Sequence, residues 1–430
     1  MTAIHWFRRD LRLKDNTALF NALKDNKNVV CVFIFDTAIL DKLPNKDDAR
    51  VTFIHQQLER IKKTLNKLNS DLLVYYGDPI KLWPRIIKDQ NAQKLYFNRD
   101  YEPYATKRDI EITLIANQNK VETFSFKDHV IFEKDEVLKD NGDPYVVYTP
   151  YSKKWKNKLA ENVIETLSIE PFIQNFKEVR SSTSLSLKDI GFTESNIEID
   201  TFKLKANVLL NYYQNRNFPS KNGTTKLSVH LRFGTISIRE VVKLGLAYSE
   251  KWLNELIWRD FYIQILSHFP SVAKGEFKPK YANLKHINNE DDFESWCNGK
   301  TGYPLVDAGM RELNATGFMH NRVRMVVASF LTKHLLIDYK WGEAYFANKL
   351  NDYDLASNNG GWQWAAGCGV DAAPYFRIFN PHTQLKRFDN NLEYVKKWIP
   401  EYGTDKYPNE VVNHKLARER CLQAYKTALA

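Results

Sequence analysis

Apolar runs alternate with helical segments over the first 130 residues. Five runs have the length and composition of buried strands: residues 4–7, 29–35, 72–76, 94–97 and 121–126. Segments with the spacing of an amphipathic helix lie between them: residues 50–68, the stretch through Trp83 and Ile87, and about 104–117. Residues 29–35 (VVCVFIF) are apolar throughout, as in a strand covered on both faces. This alternation predicts a parallel, doubly wound α/β sheet.

The pattern changes twice after residue 130. Residues about 130–200 contain turn signals such as NGDP at 141–144, and we interpret them as an irregular connection. From about residue 201 onward, apolar positions recur at helical spacing, as around Trp252 and Phe261. A chain of 430 residues is also too long for a single core. We therefore predict an α/β domain at 1–130, a linker at 131–200 and an all-α domain at 201–430.

Charge and cysteine content narrow the class of protein. The formal net charge is +10, which favours polyanionic partners such as nucleic acid, although a lysine-rich solvated surface gives the same surplus. The four cysteines form no CxxC pair, which argues against a zinc site and a disulfide framework. No signal segment and no apolar run of about 18 residues is present. These features predict a soluble, cytoplasmic protein.

Two segments carry groups that suit a flat, phosphate-bearing ligand. No P-loop, GxGxxG motif or nucleophile elbow is present, so an enzyme with this sequence needs a cofactor or dispersed carboxylates. Residues 224–228 (TTKLS) offer hydroxyls and N–H groups to a phosphate, and a helix cap explains them equally. Asp352 and Asp354 precede NNGGWQW at 358–364, where acids and amides could meet a heterocycle edge and glycines permit close approach. A loop of Asx turns with packed tryptophans is the alternative.

Two helical clusters add candidate base contacts. Glu255 and Trp258 lie three residues apart and therefore share one face of a helix, where they could meet a base. A surface glutamate above a buried tryptophan is the alternative. Residues 319–325 (MHNRVRM) combine an amide with Arg322 and Arg324, which suit a base edge and phosphates; a solvated helix face is the alternative. The residues alone therefore indicate a flat cofactor or base beside phosphates.

Taken together, these segments resemble the photolyase and cryptochrome family. The resemblance runs from residue 5 to about 398. It begins with HWFRRDLR at 5–12, and its most specific parts are WLNELIWR at 252–259, KTGYP at 300–304, MHNRVRM at 319–325, NNGGWQW at 358–364 and DAAPYFRIFNP at 371–381. It implies an N-terminal Rossmann-like α/β domain and a C-terminal helical domain that binds FAD, in agreement with the periodicity.

The resemblance also implies a set of FAD contacts. Tyr212 and residues 224–228 would hold the phosphates of FAD. Asp352 and Asp354 would hold the edges of its ring and ribose. Asn358 would face the flavin N5, and an asparagine there favours repair over photoreception. The full implied set is Tyr212, Thr224, Thr225, Lys226, Leu227, Ser228, Trp252, Glu255, Arg259, Asn321, Arg324, Asp352, Asp354 and Asn358.

The implied reaction is light-dependent repair of a cyclobutane pyrimidine dimer flipped out of DNA, by an electron from excited reduced flavin. Members that repair the 6-4 lesion carry a His pair in the cluster at 319–325, whereas Asn321 and Met325 of this chain point to the cyclobutane lesion. The implied catalytic residues are Glu255, Trp258, Asn321, Met325, Asn358 and Trp364. Arg216, Arg322 and Arg377 match positions that contact DNA phosphates.

The chain departs from the family pattern in two places. The electron-supplying tryptophan chain retains Trp362, but Tyr339 and His286 stand at its middle and outer positions. We therefore expect slow flavin photoreduction, with Trp362 and Tyr339 as electron-transfer residues. Tyr104 and Ala105 replace the Asn-Glu pair of folate-binding members, so a second, antenna chromophore is of unknown identity and a folate is disfavoured.

Two other functions stay open on the sequence. One is a cryptochrome-type blue-light receptor with little or no repair, against which the absence of a long tail weighs. The other is a DNA-binding flavoprotein without repair. The resemblance further implies a monomer without an obligate protein partner, acting on damaged DNA.

Overall fold

The computed structural model describes residues 1–180, 184–202 and 204–430. Residues 181–183, in the predicted linker, and residue 203 lie outside the described part. Contacts divide the chain into two compact units. The first comprises Met1–Glu136, Asn157–Phe202 and Leu227–Ala247, and the second Val137–Lys156, Lys203–Lys226 and Tyr248–Ala430.

The first unit is built on a five-stranded parallel sheet. Its strands are β1 (Thr2–Phe7), β2 (Val29–Asp36), β3 (Leu72–Gly77), β4 (Ala92–Asn98) and β5 (Glu122–Phe126). Their order is β3-β2-β1-β4-β5, and Ile4 of the central strand pairs with Val30 on one side and Leu95 on the other. Every residue of β2 is buried, as its unbroken apolar run predicts. The predicted doubly wound parallel sheet is confirmed.

The α-helices, in chain order, are α1 (Thr17–Asp25), α2 (Thr37–Leu40), α3 (Ala49–Asn66), α4 (Pro79–Gln90), α5 (Pro103–Gln118), α6 (Tyr148–Ala160), α7 (Ala206–Leu210), α8 (Tyr212–Asn215), α9 (Ser228–Arg232), α10 (Ile238–Tyr248), α11 (Glu250–His268), α12 (Glu290–Cys297), α13 (Pro304–Thr316), α14 (Asn321–Ser329), α15 (Tyr339–Lys349), α16 (Leu355–Ala366), α17 (Pro381–Phe388), α18 (Glu393–Trp398) and α19 (His414–Leu429). Short 3₁₀ helices lie at Lys134–Glu136, Glu170–Asn175, Lys188–Ile190, Pro270–Ala273 and Pro279–Asn283, and a π-helix at Phe330–His334.

The expectation of an irregular stretch at about 130–200 was wrong for α6. Its buried face consists of Tyr151, Trp155 and Leu159, spaced four residues apart. Lysines and polar residues separate these positions, so the pattern is weak along the sequence. Burial against other parts of the chain, which local composition does not reveal, stabilises this helix.

The second unit is helical, as predicted. Helices α13, α14, α15 and α16 contribute to one apolar core that includes Trp296, Met310, Val327 and Trp362. α15 approaches α16 closely at Gly342, where a Cβ would stand 2.1 Å from the Trp362 ring. Among the described residues, no helix is both long and apolar enough to span a bilayer.

Candidate functional site

The predicted site residues of the second unit lie mainly on three helices. Glu255 and Trp258 are on α11, Asn321 to Met325 on α14, and Asn358 to Trp364 on α16. α16 packs against both α11 and α14. Segments separated by about 100 residues in sequence are therefore neighbours in the fold.

An open amide characterises the first turn of α16. Asp354 caps the helix, with its Oδ1 accepting from the Ser357 N–H at 3.1 Å. The Asn358 side-chain nitrogen donates to the Glu343 carbonyl at 3.1 Å, and no described residue donates to its Oδ1. One turn further on, nothing lies within 4 Å of a Cβ built on exposed Gly361. The helix thus offers a fixed acceptor and, close by, an open backbone surface.

A buried ion pair fixes Arg324 beside this amide-bearing helix. Its Nη2 lies 2.9 Å from Asp352 Oδ2, and its Nε donates to the Met319 carbonyl at 2.7 Å. The Asp352 side chain is only 6% exposed, so solvent screens the pair weakly. Arg324 and Asp352, both implied FAD contacts, are therefore held in one arrangement.

A second ion pair joins Arg216 to Glu255. The Arg216 guanidinium also lies over the Tyr212 ring, 5.1 Å from its centroid. Burial opposes the charge of Arg216, but the Glu255 carboxylate, together with Tyr212 and Tyr148, outweighs burial and raises the pKa of Arg216. Glu255 retains 31% of its side-chain exposure, so the acid is accessible as well as oriented.

Arg322 is a partly buried cation with few compensating charges. Its Nη2 donates to Asn217 Oδ1 at 2.8 Å, and its guanidinium covers the Phe388 ring at 4.4 Å. Burial lowers its pKa, and the positive charges of Arg216 and Arg387 lower it further. Its Nε is buried without a hydrogen-bond partner among the described residues. A bound anion would offset the positive charges around Arg322 and could accept a hydrogen bond from its Nε.

The remaining predicted contacts on α14 and beyond are accessible. Asn321 is exposed at the start of α14, and its side chain makes no hydrogen bond to a described residue. Met325 Sδ lies 3.6 Å from an Arg322 nitrogen. Arg377 is exposed. Asn321 and Arg377 are therefore free to meet a ligand, whereas Met325 is half-buried against Arg322.

Trp252 and Thr225 are brought together, with the indole N–H donating to the hydroxyl at 3.4 Å. Thr224 is half-buried, and Lys226 has a positive φ of 50° with its ammonium over the Phe318 ring. Arg259 is largely buried and lies 3.9 Å from Asp260. Leu227 and Ser228 belong to the first unit, where Ser228 begins α9.

The ring contacts of Trp362 differ from the implied electron route. Trp362 is 2% exposed and contacts Trp296 at 6.1 Å and Phe346 at 5.0 Å between centroids. Tyr339 is buried, its ring lies 5.6 Å from the Lys340 ammonium, and no aromatic ring of a described residue contacts it. Trp364 is half-buried against the same core. Sequence reasoning missed Trp296, because nothing in the surrounding α12 sequence links it to Trp362.

Two further groups near the site were missed for the same reason. Tyr148, from the stretch interpreted as a linker, stacks on Trp258. Arg387 adds positive charge near Arg322. The family motifs contain neither residue, and only the fold brings them to the site.

The residues present fit FAD. The free Oδ1 of Asn358 can accept from a ring N–H, and the empty space beside Gly361 leaves room for a planar group. Arg324 and Asp352 supply a donor and an acceptor for ring edges, and Thr225 and Lys226 supply groups suited to phosphate.

Comparisons with known proteins agree over the whole chain. A family model described as DNA photolyase matches residues 3–170, and one described as the FAD binding domain of DNA photolyase matches 252–406. The deoxyribodipyrimidine photo-lyase of Escherichia coli is 35% identical over 99% of both chains, and that of Synechococcus sp. is 35% identical over 98% of this chain and 96% of its own.

Solved structures give the same result. A class III photolyase from Agrobacterium tumefaciens superposes with a TM-score of 0.88 at 31% identity, covering 99% of this chain and 97% of its own. An archaeal photolyase from Sulfolobus tokodaii, solved with two FAD molecules, superposes at 0.84 with 33% identity, covering 99% and 100%. With this similarity from end to end, the chain belongs to the DNA photolyase family.

Proposed function

We propose that this chain is a light-dependent lyase that repairs cyclobutane pyrimidine dimers in DNA with FAD as its cofactor. Full-length similarity to deoxyribodipyrimidine photo-lyases is the observation that carries the proposal. Glu255 and Trp258 on α11, Asn321 and Met325 on α14, and Asn358 and Trp364 on α16 support the dimer as the lesion.

When bound, reduced FAD supplies the light-excited electron that opens the cyclobutane ring and that returns after the ring has split. The chain's own residues hold the reactants. Asn358 offers its Oδ1 to the flavin ring, and Arg324 and Asp352 hold ring edges. Tyr212, Thr224, Thr225 and Lys226 hold phosphates, while Trp252, Arg259 and Asp354 complete the pocket. Leu227 and Ser228 stay predictions from the resemblance.

Glu255 hydrogen-bonds the polar edge of the dimer and stabilises the charge that develops on it. Arg216 orients that carboxylate until the lesion enters. Trp258 and Trp364 pack against the flipped bases, with Asn321 and Met325 as further contacts. Arg322 and Arg377, together with Arg216, neutralise DNA phosphates.

We further propose that the second unit is the catalytic part and that the first houses an antenna chromophore other than a folate. The protein would act as a cytoplasmic monomer without an obligate partner. Extraction and absorption spectroscopy of bound chromophores test the antenna, and light scattering tests the monomer.

A repair assay tests the function. The FAD-loaded, chemically reduced protein is mixed with dimer-containing DNA and illuminated with blue light. Restoration of pyrimidines supports the proposal. Flavin binding without restoration would favour the photoreceptor or the DNA-binding flavoprotein.

A further inference from the structure

Tyr148 and Trp258 form the most closely stacked ring pair near the candidate site. Their centroids are 3.7 Å apart and their planes differ by 3°. Tyr148 is the first residue of α6 and Trp258 lies in the middle of α11. Both side chains are half-buried. Tyr148 covers one face of the indole, and Trp258 as a whole is only half-buried, so part of the indole stays exposed.

Ring contacts, and no hydrogen bond to a described residue, orient the indole of Trp258. Its indole N–H donates to no described residue, whereas those of Trp155 and Trp296 donate to Asp260 and to the Val327 carbonyl. Phe261 meets the Trp258 ring edge-on at 5.6 Å, and Tyr262 lies tilted at 5.5 Å. Tyr148 is the parallel partner, so it determines the tilt of the indole.

Tyr148 is itself anchored on both sides. Its hydroxyl donates to the Asn254 carbonyl at 2.9 Å, next to Glu255 in the chain. Its backbone N–H donates to Asp371 Oδ2 at 3.2 Å. Along the same helix, Tyr151 packs on Phe261, and the Trp155 contact described above ties α6 to α11. The phenol ring is therefore held firmly against α11.

We propose that Tyr148 is a positioning residue for lesion recognition, which sets the plane of Trp258 so that the exposed part of the indole meets the flipped pyrimidine dimer. The proposal rests on the proposed function, because it assumes that Trp258 contacts the lesion. A preset indole lowers the entropy cost of ordering that side chain on binding. Tyr148 acts through Trp258 and through the turn that carries Glu255, without a contact of its own to the reacting atoms.

Two substitutions test the contributions of the Tyr148 ring and the Tyr148 hydroxyl separately. Tyr148→Phe keeps the stack and removes the hydrogen bond to Asn254, and Tyr148→Leu removes the stack. The measured quantity is the ratio of Kd for an undamaged oligonucleotide to Kd for the same oligonucleotide with one dimer, using the FAD-loaded protein in the dark. We expect Phe to preserve the ratio and Leu to lower it by about 2- to 10-fold, the range expected for one aromatic pair.

Tyr151→Leu is the matched control. It weakens the same α6–α11 packing through Phe261 without touching Trp258. Thermal unfolding of each variant reports any loss of packing. Support requires a lowered ratio in Tyr148→Leu, a preserved ratio in Tyr148→Phe and a preserved ratio in Tyr151→Leu.

The proposal is overturned if Tyr148→Leu, still folded, discriminates as well as the unmodified protein. It is also overturned if Tyr151→Leu loses as much discrimination, because the effect would then be general packing. The unmodified protein is measured first. If it shows no preference for dimer DNA, the proposed function itself fails and the role of Tyr148 fails with it, which is a different result from failure of the variants alone.

Discussion

At the scale of single residues, the site consists of polar groups that are oriented but not saturated. Asn358 uses its amide nitrogen within the protein and leaves its oxygen for a ligand. Arg322 lies partly buried beside other arginines, with its Nε unpartnered among the described residues. A buried polar atom without a partner, such as the Arg322 Nε, costs stability, and a ligand that satisfies it stabilises the complex.

Glu255→Gln tests the role of the carboxylate. Removing a charge-assisted hydrogen bond to the dimer should lower repair per absorbed photon by about tenfold or more. Bound FAD, measured by absorbance after gel filtration, should stay at the level of the unmodified protein. Loss of FAD from the variant would instead mean that Glu255 holds the cofactor pocket together.

His320 gives a prediction about pH. It caps α14 with Nδ1 accepting the Arg322 N–H at 3.1 Å, and burial followed by the charges of Arg324 and Arg322 lowers its pKa to about 4. In the unfolded chain, the pKa of His320 has its ordinary value near 6.5. As pH falls from about 6.5 to 4, the unfolded chain therefore binds a proton at His320 and the folded chain does not. Stability present above pH 6.5 should be lost over that window, by about 3 kcal/mol.

His320→Asn keeps a good capping residue and removes the titration. Urea unfolding at several pH values should show a smaller decline in the variant than in the unmodified protein. Other buried histidines, such as His5, titrate equally in both proteins and cancel in the difference. Equal declines in the two proteins would show that His320 is not the responsible group.

At the scale of elements, the sequence predicted the strands of the first unit well and one helix of the site poorly. β2 is buried at every position, so its apolar run identified it. In α6, lysines and polar residues separate the buried positions, so the helix has only a weak apolar pattern. Its contact with α11 depends on residues about 105 positions apart, such as Trp155 and Asp260. For the same reason the motifs identified Glu255 and Asn358 but not Tyr148 or Trp296. A motif marks shared residues, whereas packing partners follow only from the fold.

The packing around α15 and α16 bears on flavin photoreduction. Tyr339 contacts no aromatic ring of a described residue, burial raises its pKa, and its hydroxyl donates to no described residue. Oxidation of a tyrosine requires its proton to leave, so this position is a poor electron relay. We expect slow accumulation of reduced flavin when the oxidised protein is illuminated with a thiol, and intact repair once the flavin has been reduced chemically. Rapid formation of a long-lived tryptophan radical in transient absorption would contradict this expectation.

At the scale of the whole molecule, the charge of +10 favours general attraction to DNA, and Arg216, Arg322 and Arg377 are the arginines proposed to contact its phosphates. General attraction does not distinguish a lesion from intact duplex. Selectivity for the dimer must therefore come from the oriented groups on α11, α14 and α16, while charge determines how strongly any DNA is bound.

Arg377→Ala tests whether a charge contact contributes to general DNA binding or to selectivity for the dimer. Arg377 is exposed, so its loss should leave the fold unchanged. The slope of log K against log salt concentration should become less steep by about 1, equally for dimer-containing and undamaged DNA. Arg85→Ala, at an exposed position of the first unit, is the control and should change neither slope. A change confined to dimer DNA would mean that Arg377 reads the lesion.

The most direct test of the central claim is the blue-light repair assay with the chemically reduced, FAD-loaded protein. We predict that illumination restores the pyrimidines of dimer-containing DNA and that the same mixture in the dark restores none. Binding of FAD and DNA without restoration under illumination would contradict the assignment of this chain as a repair enzyme.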